Sequence, residues 1–293
     1  MFRHQEALSL KSHTGMSAEG KLCLTIWTLA NQESYRQIAD RFGISRGYAH
    51  FIFTQCCSII RHIASAVDVI TWPNALAIEQ LSQRNTFPGA FGAVDGCHIP
   101  IKTPLEHTDS YINRKSVASV VLQAVCTHDL QFIDVSTAWP GSMHDARIYR
   151  RSQLSDMLNS DTVGSEFHIL GDSAYPLEVR LMVPFRDNGH LSPVQKTFNY
   201  MLSASRCSIE RAFGLLKGKF RRLKYLDINN IAFAADIIIT ACTLHNYILQ
   251  HGGDDDDMSI DDSVQDYLFS ASDCTAVTDK VASRKRNEIA AQL

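Results

Sequence analysis

Three runs rich in apolar and β-branched residues follow one another near the middle of the chain, and they constrain its fold more than any other feature. They cover residues 91–103, 116–126 and 131–137 and are joined by short polar connections. Such runs with such connections predict three antiparallel strands that form a meander. The chain therefore contains a sheet that is antiparallel in its first part.

Beyond the meander, the pattern alternates between strand and helix. Strands are predicted at residues 166–170 and 181–183, and helices at residues 145–158, 195–223 and 231–249. Three antiparallel strands followed by this alternation are typical of a mixed α/β sheet of the ribonuclease H type. We predict this fold class, preceded by a small all-α region.

The N-terminal part has the pattern of that all-α region. Residues 35–52 have the form of a helix-turn-helix, with Gly43 where the turn needs a positive φ and Ser45 as the cap of the second helix. One interpretation is a DNA-binding unit whose second helix enters the major groove and presents Arg46 and His50. The other is a helical hairpin that only covers the next domain, and the pattern favours neither.

These patterns divide the chain into four segments. We predict a helical, helix-turn-helix-like region at residues 1–71, a linker at 72–88, an α/β domain at 89–250 and a flexible tail at 251–293. The linker follows from Pro and Gly residues near both of its ends. The tail follows from its content of Asp and Ser.

The net charge of −3 conceals an uneven distribution. Residues 254–293 hold ten acids and four bases, a net charge of −6, so the 24 bases and 21 acids of residues 1–253 give +3. A mildly basic body is compatible with a polyanionic partner. The hydrophobic fraction of 45% excludes a mainly disordered protein.

The sequence also bears on the compartment. Its eight cysteines form no C-x-x-C pair, which argues against a zinc site or a disulfide framework and favours a reducing compartment. The first residues are too polar for a signal peptide. The most apolar helix, at residues 231–249, carries Asp236, His245 and Asn246, so we interpret it as a buried helix and expect no membrane partner.

Four acids stand in unusual settings. Asp95 lies inside an apolar strand, Asp172 follows the strand at residues 166–170, Glu210 lies on the long helix, and Asp145 opens a helix. Each has an ordinary explanation on its own, such as a turn, a helix cap or an ion pair of Glu210 with the base one turn before it. Together, Asp95, Asp172 and Glu210 are three carboxylates on adjoining elements of one sheet. Such oxygen ligands hold Mg²⁺ or Mn²⁺, and two such ions can catalyse cleavage of a phosphodiester.

Basic residues surround Glu210 on the long helix and suggest a surface for nucleic acid. A stretch of seven bases around one acid suits a site that grips a polyanion, although it also describes a solvated face with a salt bridge. We predict that the nucleic-acid-binding residues are Arg206, Arg211, Lys217, Lys219, Arg221, Arg222, Lys115 and Arg46. His144 is expected near the site because it precedes Asp145.

Five short motifs occur in order between residues 20 and 250. They are GAVDGCHI at residues 92–99, WPGSMHDAR at 139–147, LGDSAYPL at 170–177, IERAFGLLK at 209–217 and LHN at 244–246. Together they resemble the PIF/Harbinger-type DDE transposases and above all their domesticated relatives, the harbinger transposase-derived nucleases.

The resemblance implies a ribonuclease H-like fold behind a helix-turn-helix and divalent-metal-dependent hydrolysis of phosphodiester bonds. It implies a catalytic triad at Asp95, Asp172 and Glu210, with Asp145 as a further metal ligand. It also implies a location in the nucleus, with the cytoplasm as a further location, and a separate Myb/SANT-like partner that supplies DNA binding and nuclear import.

The sequence departs from the family pattern at three positions. Cys97 replaces the usual Thr, Ala174 replaces a usual Gly, and Thr127 stands where an acid is common. Ala174 would disturb its turn if that turn needs a positive φ. No departure removes a metal ligand, so the sequence predicts a DNA endonuclease that uses Mg²⁺ or Mn²⁺. The alternative is a catalytically silent, domesticated protein that binds DNA or a partner.

Overall fold

The protein has a five-stranded mixed sheet at its centre. The structure, a computed structural model, describes residues 15–66, 68–252 and 279–293. The sheet has the order β3-β2-β1-β4-β5, in which β1, β2 and β3 are antiparallel and β4 and β5 run parallel to β1. The strands are β1 (Ala90–Pro100), β2 (Ser119–Cys126), β3 (Phe132–Pro140), β4 (His168–Leu170) and β5 (Leu181–Met182). The predicted meander and the mixed α/β class are confirmed.

Ten α-helices and a 3₁₀-helix at Arg221–Lys224 surround the sheet in the described part of the chain. The α-helices are α1 (Ala18–Ala30), α2 (Tyr35–Phe42), α3 (Arg46–Ala66), α4 (Ala75–Arg84), α5 (Thr108–Tyr111), α6 (Asp145–Arg151), α7 (Leu154–Leu158), α8 (Pro193–Lys219), α9 (Ile231–Gln250) and α10 (Lys280–Ala290). The helix predicted at residues 145–158 is divided into α6 and α7.

Strand β1 is the middle of the sheet and is buried along its whole length. Its side chains alternate between the two faces, as in any strand. Ala93, Cys97 and Ile99 point into the core that also contains Phe213 and Leu216 of α8, whereas Val94 belongs to a smaller core on the opposite face. The same alternation places Asp95 on the α8 face. A carboxylate in the central strand therefore faces the long helix that carries Glu210.

The N-terminal helices have the local geometry predicted for a helix-turn-helix. Gly43 has a φ of 63° and its N–H caps the end of α2, and the Ser45 hydroxyl accepts a hydrogen bond from the N–H of Tyr48 at 3.3 Å. The body of α3 packs against α9, and Phe53 belongs to the same apolar core as Phe213. The region at residues 1–71 is thus joined to the α/β domain by a common core, as far as its residues are described.

The predicted linker at residues 72–88 is wrong, because it contains α4. The Asn74 side chain caps this helix by accepting a hydrogen bond from Ala77 N at 2.9 Å, and Ile78 and Phe87 are fully buried. The Pro residues that suggested a linker lie just outside the helix, at positions where Pro does not disturb it. Helix α4 packs on β1 and belongs to the domain.

The prediction of a flexible tail at residues 251–293 is wrong for the last part of this segment, which forms α10. Asp279 caps α10 through hydrogen bonds from the N–H groups of Val281 and Ala282, and α10 buries Ala282, Ile289 and Ala290. The low average hydrophobicity of this segment hid these few small or aliphatic contacts. The acidic residues 253–278 lie outside the described residues.

Helix α9 is long and apolar enough to cross a membrane by length and composition alone, but 61% of its most apolar window is buried in the protein. Its polar side chains bind the sheet edge: Asn246 donates to Phe132 O at 2.7 Å and to Val69 O at 2.9 Å, and accepts from Phe132 N at 2.8 Å. His245 Nε2 lies 2.9 Å from Leu130 O. The helix has the contacts of a core helix, as the sequence predicted.

Candidate active site

Asp95 is positioned by the central strand and is 3% exposed. Its Oδ1 accepts a hydrogen bond from the N–H of Gly96 at 2.7 Å. Its Oδ2 accepts one from Nη1 of Arg206, on α8, at 2.6 Å. The strand and the long helix thus meet at this carboxylate.

Asp172 lies just beyond the carboxyl end of β4, the neighbour of β1 in the sheet. Its Oδ1 accepts a hydrogen bond from the N–H of Ala174 at 2.9 Å, which fixes the carboxylate in a tight turn. Ala174 is not among the described residues with a positive φ, so the replacement of the family's usual Gly causes no strain here. The end of a strand next to the central one is a usual place for a ligand site in α/β sheets.

Asp145 is the first residue of α6 and is 1% exposed. It lies directly against Gly96, since a Cβ atom added to Gly96 would come within 2.4 Å of Asp145 Oδ1. This Oδ1 is buried and has no hydrogen-bond partner in the structure. A buried carboxylate oxygen without a partner costs free energy unless a cation or a proton compensates it.

Glu210 reaches the site from α8. The helix is fixed by its buried face, which includes Ile209, Phe213 and Leu216. Arg206, one turn earlier, donates from Nη2 to Oε1 of Glu210. The guanidinium therefore bridges Asp95 and Glu210, with only 16% of the Arg206 side chain exposed.

Burial raises the pKa of Asp95 well above its usual range; Arg206 opposes this rise, and the charges of Asp172 and Glu210 add to it. The pKa of Asp145 is raised by burial and then by the charges of Asp95 and Asp172. Burial also raises the pKa of Asp172. Since the acids act on each other's pKa values, the site is one interacting cluster from β1, α6, the end of β4 and α8. The roles of these acids as catalytic residues and metal ligands stay predictions.

The donor chemistry of this cluster fits a divalent cation. All four side chains offer hard oxygen atoms, and Asp145 Oδ1 is a buried acceptor without a donor. Among the described residues, no three His, Cys, Asp or Glu side chains are arranged to hold a metal ion as they stand. The Arg206 guanidinium lies between two of the four carboxylates. The residues that would hold Mg²⁺ or Mn²⁺ are Asp95, Asp145, Asp172 and Glu210.

The predicted nucleic-acid-binding residues are divided by the structure. Arg46, Lys115, Arg211 and Arg221 are exposed, and Lys219 is partly exposed.

The other three are held inside the protein and are not placed to contact a phosphate. Arg206 binds the acids, Lys217 is 1% exposed and donates from Nζ to His98 O at 2.8 Å, and Arg222 is 8% exposed and donates to Glu33 O at 2.7 Å. These three residues are therefore removed from the predicted nucleic-acid surface. The face of α8 that carries Glu210 must turn toward the sheet, so the bases on that face are buried with it.

Several residues near the acids were not among the predicted site residues. Arg114 is exposed, lies 2.9 Å from His144 Nδ1 through its Nη2 and lowers the pKa of Asp145. Tyr175 is buried, and after burial itself the charges of Asp145, Asp95 and Asp172 raise the pKa of its phenol. Both have a signal in the sequence, because Tyr175 lies inside the Asp172 motif and Arg114 precedes Lys115. The expected position of His144 near the site agrees with its contact to Arg114.

Comparison with known proteins gives one family and several relatives. The model of the DDE superfamily endonucleases matches residues 94–246, slightly more than half of the chain. "Putative nuclease HARBI1" of Bos taurus and of Homo sapiens are each 34% identical to this chain over 175 residues. Each alignment covers 57% of this chain and 48% of the relative. This chain therefore spans about half the length of these relatives.

A longer alignment joins this chain to a plant protein. "Protein ALP1-like" of Arabidopsis thaliana is 25% identical over 304 residues, which is 95% of this chain and 72% of the relative. No solved structure matches this chain. The matched region begins at Val94 and ends at Asn246, so it contains all four acids of the cluster.

Proposed function

Because this chain belongs to the DDE superfamily endonucleases, we propose that it hydrolyses phosphodiester bonds of DNA with a divalent metal ion held by its four acids. The observation that carries the proposal is that Asp95, Asp145, Asp172 and Glu210 come from four separate elements and form one interacting cluster, in which Asp95 and Asp145 are buried. The charges of Asp95, Asp172 and Glu210 raise the pKa values of neighbouring acids, an arrangement typical of functional sites. A cation bound among them removes this repulsion.

Each residue of the proposed site has a role that follows from its position. Mg²⁺ or Mn²⁺, when bound, supplies activation of a water molecule and stabilisation of the leaving oxygen. Asp95 in β1 and Asp172 after β4 would hold the ion, together with Glu210 of α8 and Asp145 of α6. The turn after β4 fixes Asp172 through Ala174 N, so its carboxylate is oriented before DNA binds.

The DNA backbone requires cations that are exposed and close to the acids. Arg114 meets this condition through its contact with His144, and Lys115 follows it in the same exposed loop. Arg211 is exposed on α8 immediately after Glu210. We assign these three residues to phosphate contacts, which position DNA without reading its sequence.

The start of α3 is a separate exposed surface in the N-terminal region. Arg46 and His50 are exposed there, whereas the rest of the helix packs on α9. An exposed start and a packed remainder of α3 are compatible with a helix that enters the major groove and also with a hairpin that covers the domain. The nuclear location and the Myb/SANT-like partner stay predictions from the family resemblance.

A second candidate function is a binding protein that does not cut. The ion pairs of Arg206 with Asp95 and Glu210 favour it, because they give two of the acids a partner without a metal ion. Asp145 and Asp172 feel the charges of Arg114 and Arg206, but burial outweighs these charges and keeps the pKa of both acids raised, and Asp145 Oδ1 has no hydrogen-bond partner. This is why we place the nuclease first.

Plasmid nicking tests the proposal. The wild type is expected to nick supercoiled DNA with Mn²⁺ or Mg²⁺ and to be inactive in EDTA. Asp172→Asn keeps the shape of the side chain but removes its charge, and we expect a loss of at least about a hundredfold, the scale reported for loss of a central electrostatic group.

The matched control for nicking is Asp161→Asn, an exposed acid outside the cluster. It is expected to nick like the wild type. Nicking by Asp172→Asn at the wild-type rate would overturn the nuclease assignment, and so would a wild-type rate that EDTA leaves unchanged.

A further inference from the structure

Arg206 sits where an incoming metal ion has to bind. Its Nη1 is 2.6 Å from Asp95 Oδ2 and its Nη2 binds Oε1 of Glu210, so one guanidinium is bonded to two of the proposed metal ligands. The charge of Asp172 also favours the protonated guanidinium, after the charges of Asp95 and Glu210. The sequence predicted that Arg206 contacts nucleic acid, but only 16% of its side chain is exposed and its guanidinium faces the acids.

The position of Arg206 follows from the helix that carries it. Arg206 and Glu210 are one turn apart on α8, so both side chains leave the helix on the same face. That face is held against β1 by the buried residues Ile209 and Phe213. The Arg206 guanidinium is attached through a long side chain, whereas Asp95 has a short side chain that is 5% exposed on the central strand. In the contact between these two residues, Arg206 is thus the part that can move.

Arg206 competes with a divalent ion through its position and its charge. A carboxylate oxygen has two acceptor positions, so the hydrogen bond from Gly96 N to Asp95 Oδ1 leaves room for a metal ligand. The Arg206 guanidinium, in contrast, fills the space between Asp95 and Glu210, and its positive charge repels a second cation there. A second Arg, Arg114, lowers the pKa of Asp145. Metal binding between Asp95 and Glu210 therefore requires that Arg206 let go.

We propose that Arg206 is a resident cation that balances the acids in the metal-free protein and that a divalent ion must displace. The inference rests on the proposed function, since it concerns the same site. It makes Arg206 a competitor for the site: its guanidinium binds Asp95 and Glu210 until a metal ion replaces it, and its displacement opens the site. The exchange keeps a positive charge among the acids in both states.

Manganese affinity tests the exchange without measuring cleavage. In isothermal titration calorimetry with Mn²⁺ alone, Arg206→Gln is expected to bind at least about tenfold more tightly than the wild type, because no cation has to leave. Arg206→Lys keeps the charge and is expected to stay close to the wild type. Lys196→Gln removes an exposed cation from the same helix, away from the acids, and serves as the matched control with unchanged affinity.

Weaker binding of Mn²⁺ by Arg206→Gln than by the wild type would overturn the inference, because it would mean that Arg206 organises the ligands instead of competing for them. Equal binding by Arg206→Gln and the wild type would also overturn it. If Arg206→Lys bound as tightly as Arg206→Gln, competition by charge would be refuted. No binding by any protein would instead overturn the metal site of the proposed function.

Thermal unfolding tests the exchange even if Arg206→Gln is less stable than the wild type. In EDTA, Arg206→Gln is expected to melt at a lower temperature than Lys196→Gln, because the acids lose their cation. Added Mn²⁺ is expected to raise the melting temperature of Arg206→Gln by more than that of the wild type. A smaller rise in the variant contradicts the exchange, whereas no rise in the wild type contradicts the metal site itself.

Discussion

Gly96 is the residue on which the approach of Asp145 to Asp95 depends. It follows Asp95 in β1, and the carboxylate of Asp145 occupies the space in which any other residue would place its Cβ atom. Its N–H also binds Asp95 Oδ1. The site therefore needs a glycine for close approach and not for backbone freedom.

Gly96→Ala is expected to separate the two acids. The added Cβ would lie 2.4 Å from Asp145 Oδ1, so the Asp145 side chain must turn away, while the backbone keeps its place. We expect nicking to fall by at least about tenfold with a loss of stability of about 1 kcal/mol. Nicking kinetics and denaturant unfolding measure the two effects.

The control for this substitution is Gly164→Ala. There the added Cβ would meet the Glu166 carboxylate at 2.5 Å, which is the same kind of clash in an exposed loop. Nicking should be unchanged in this protein. If Gly96→Ala nicked as fast as Gly164→Ala, the position of Asp145 would be irrelevant to the chemistry.

At the scale of single residues, the sequence was informative about acids and less so about bases. Asp95 and Asp172 stood out because a carboxylate in an apolar strand or at a strand end is costly without a purpose, whereas Glu210 and Asp145, on helices, gained weight only together with them and from the family resemblance. Lys217 looked like an exposed cation but binds His98 O inside the protein. The sequence does not show whether the head group of a Lys or Arg on a helix reaches solvent or a buried carbonyl.

Among the elements, α8 connects the sheet to the chemistry. Its inner face carries Arg206, Glu210, Phe213 and Lys217, and this face is turned to β1. The period of the helix predicted that these residues share a face. Which side of the helix faces solvent depends on where the sheet lies, and that information is not local to the helix.

Helix α10 shows the limit of composition as a guide. Its Lys285 Nζ donates to Ser165 O and Val179 O at 2.7 Å and to Phe167 O at 3.2 Å. A Lys held by three backbone carbonyls from distant loops has no signature in the sequence. This contact joins the segments that precede β4 and β5, and β4 leads directly to Asp172.

Lys285→Gln is expected to lower the free energy of unfolding by about 1–3 kcal/mol, because the shorter side chain leaves carbonyl acceptors without a donor. Urea unfolding measures it. Lys280→Gln, an exposed lysine at the start of the same helix, is the control and should unfold like the wild type. Equal stability of the two variants would show that the carbonyl contacts of Lys285 contribute nothing.

For the molecule as a whole, the fold class could be predicted and the domain boundaries could not. Three antiparallel strands followed by two parallel ones agree with the predicted mixed sheet. The segment boundaries at residues 71 and 88 disappear, because Phe53 of α3 and Phe213 of α8 share one core and α4 packs on β1. Pro and Gly mark local turns, whereas contacts between distant elements decide what folds together.

The whole molecule also explains why its net charge is a poor guide to its partner. The four acids count toward the total of −3, yet they lie in one buried cluster that a cation would neutralise. Arg206, Lys217 and Arg222 also count toward the net charge, yet their head groups bind a carboxylate or a backbone carbonyl inside the protein. The DNA surface that we propose is therefore defined by the exposed bases Arg114, Lys115 and Arg211 and not by the net charge of the chain.

The most direct test of the account is the anomalous diffraction of Mn²⁺ in crystals of the protein. The account predicts an anomalous peak bonded to carboxylate oxygens of Asp95 and Asp172, with Glu210 or Asp145 beside it and the Arg206 guanidinium moved away from Asp95. A peak confined to other parts of the molecule, or no peak among the four acids at millimolar Mn²⁺, would contradict it.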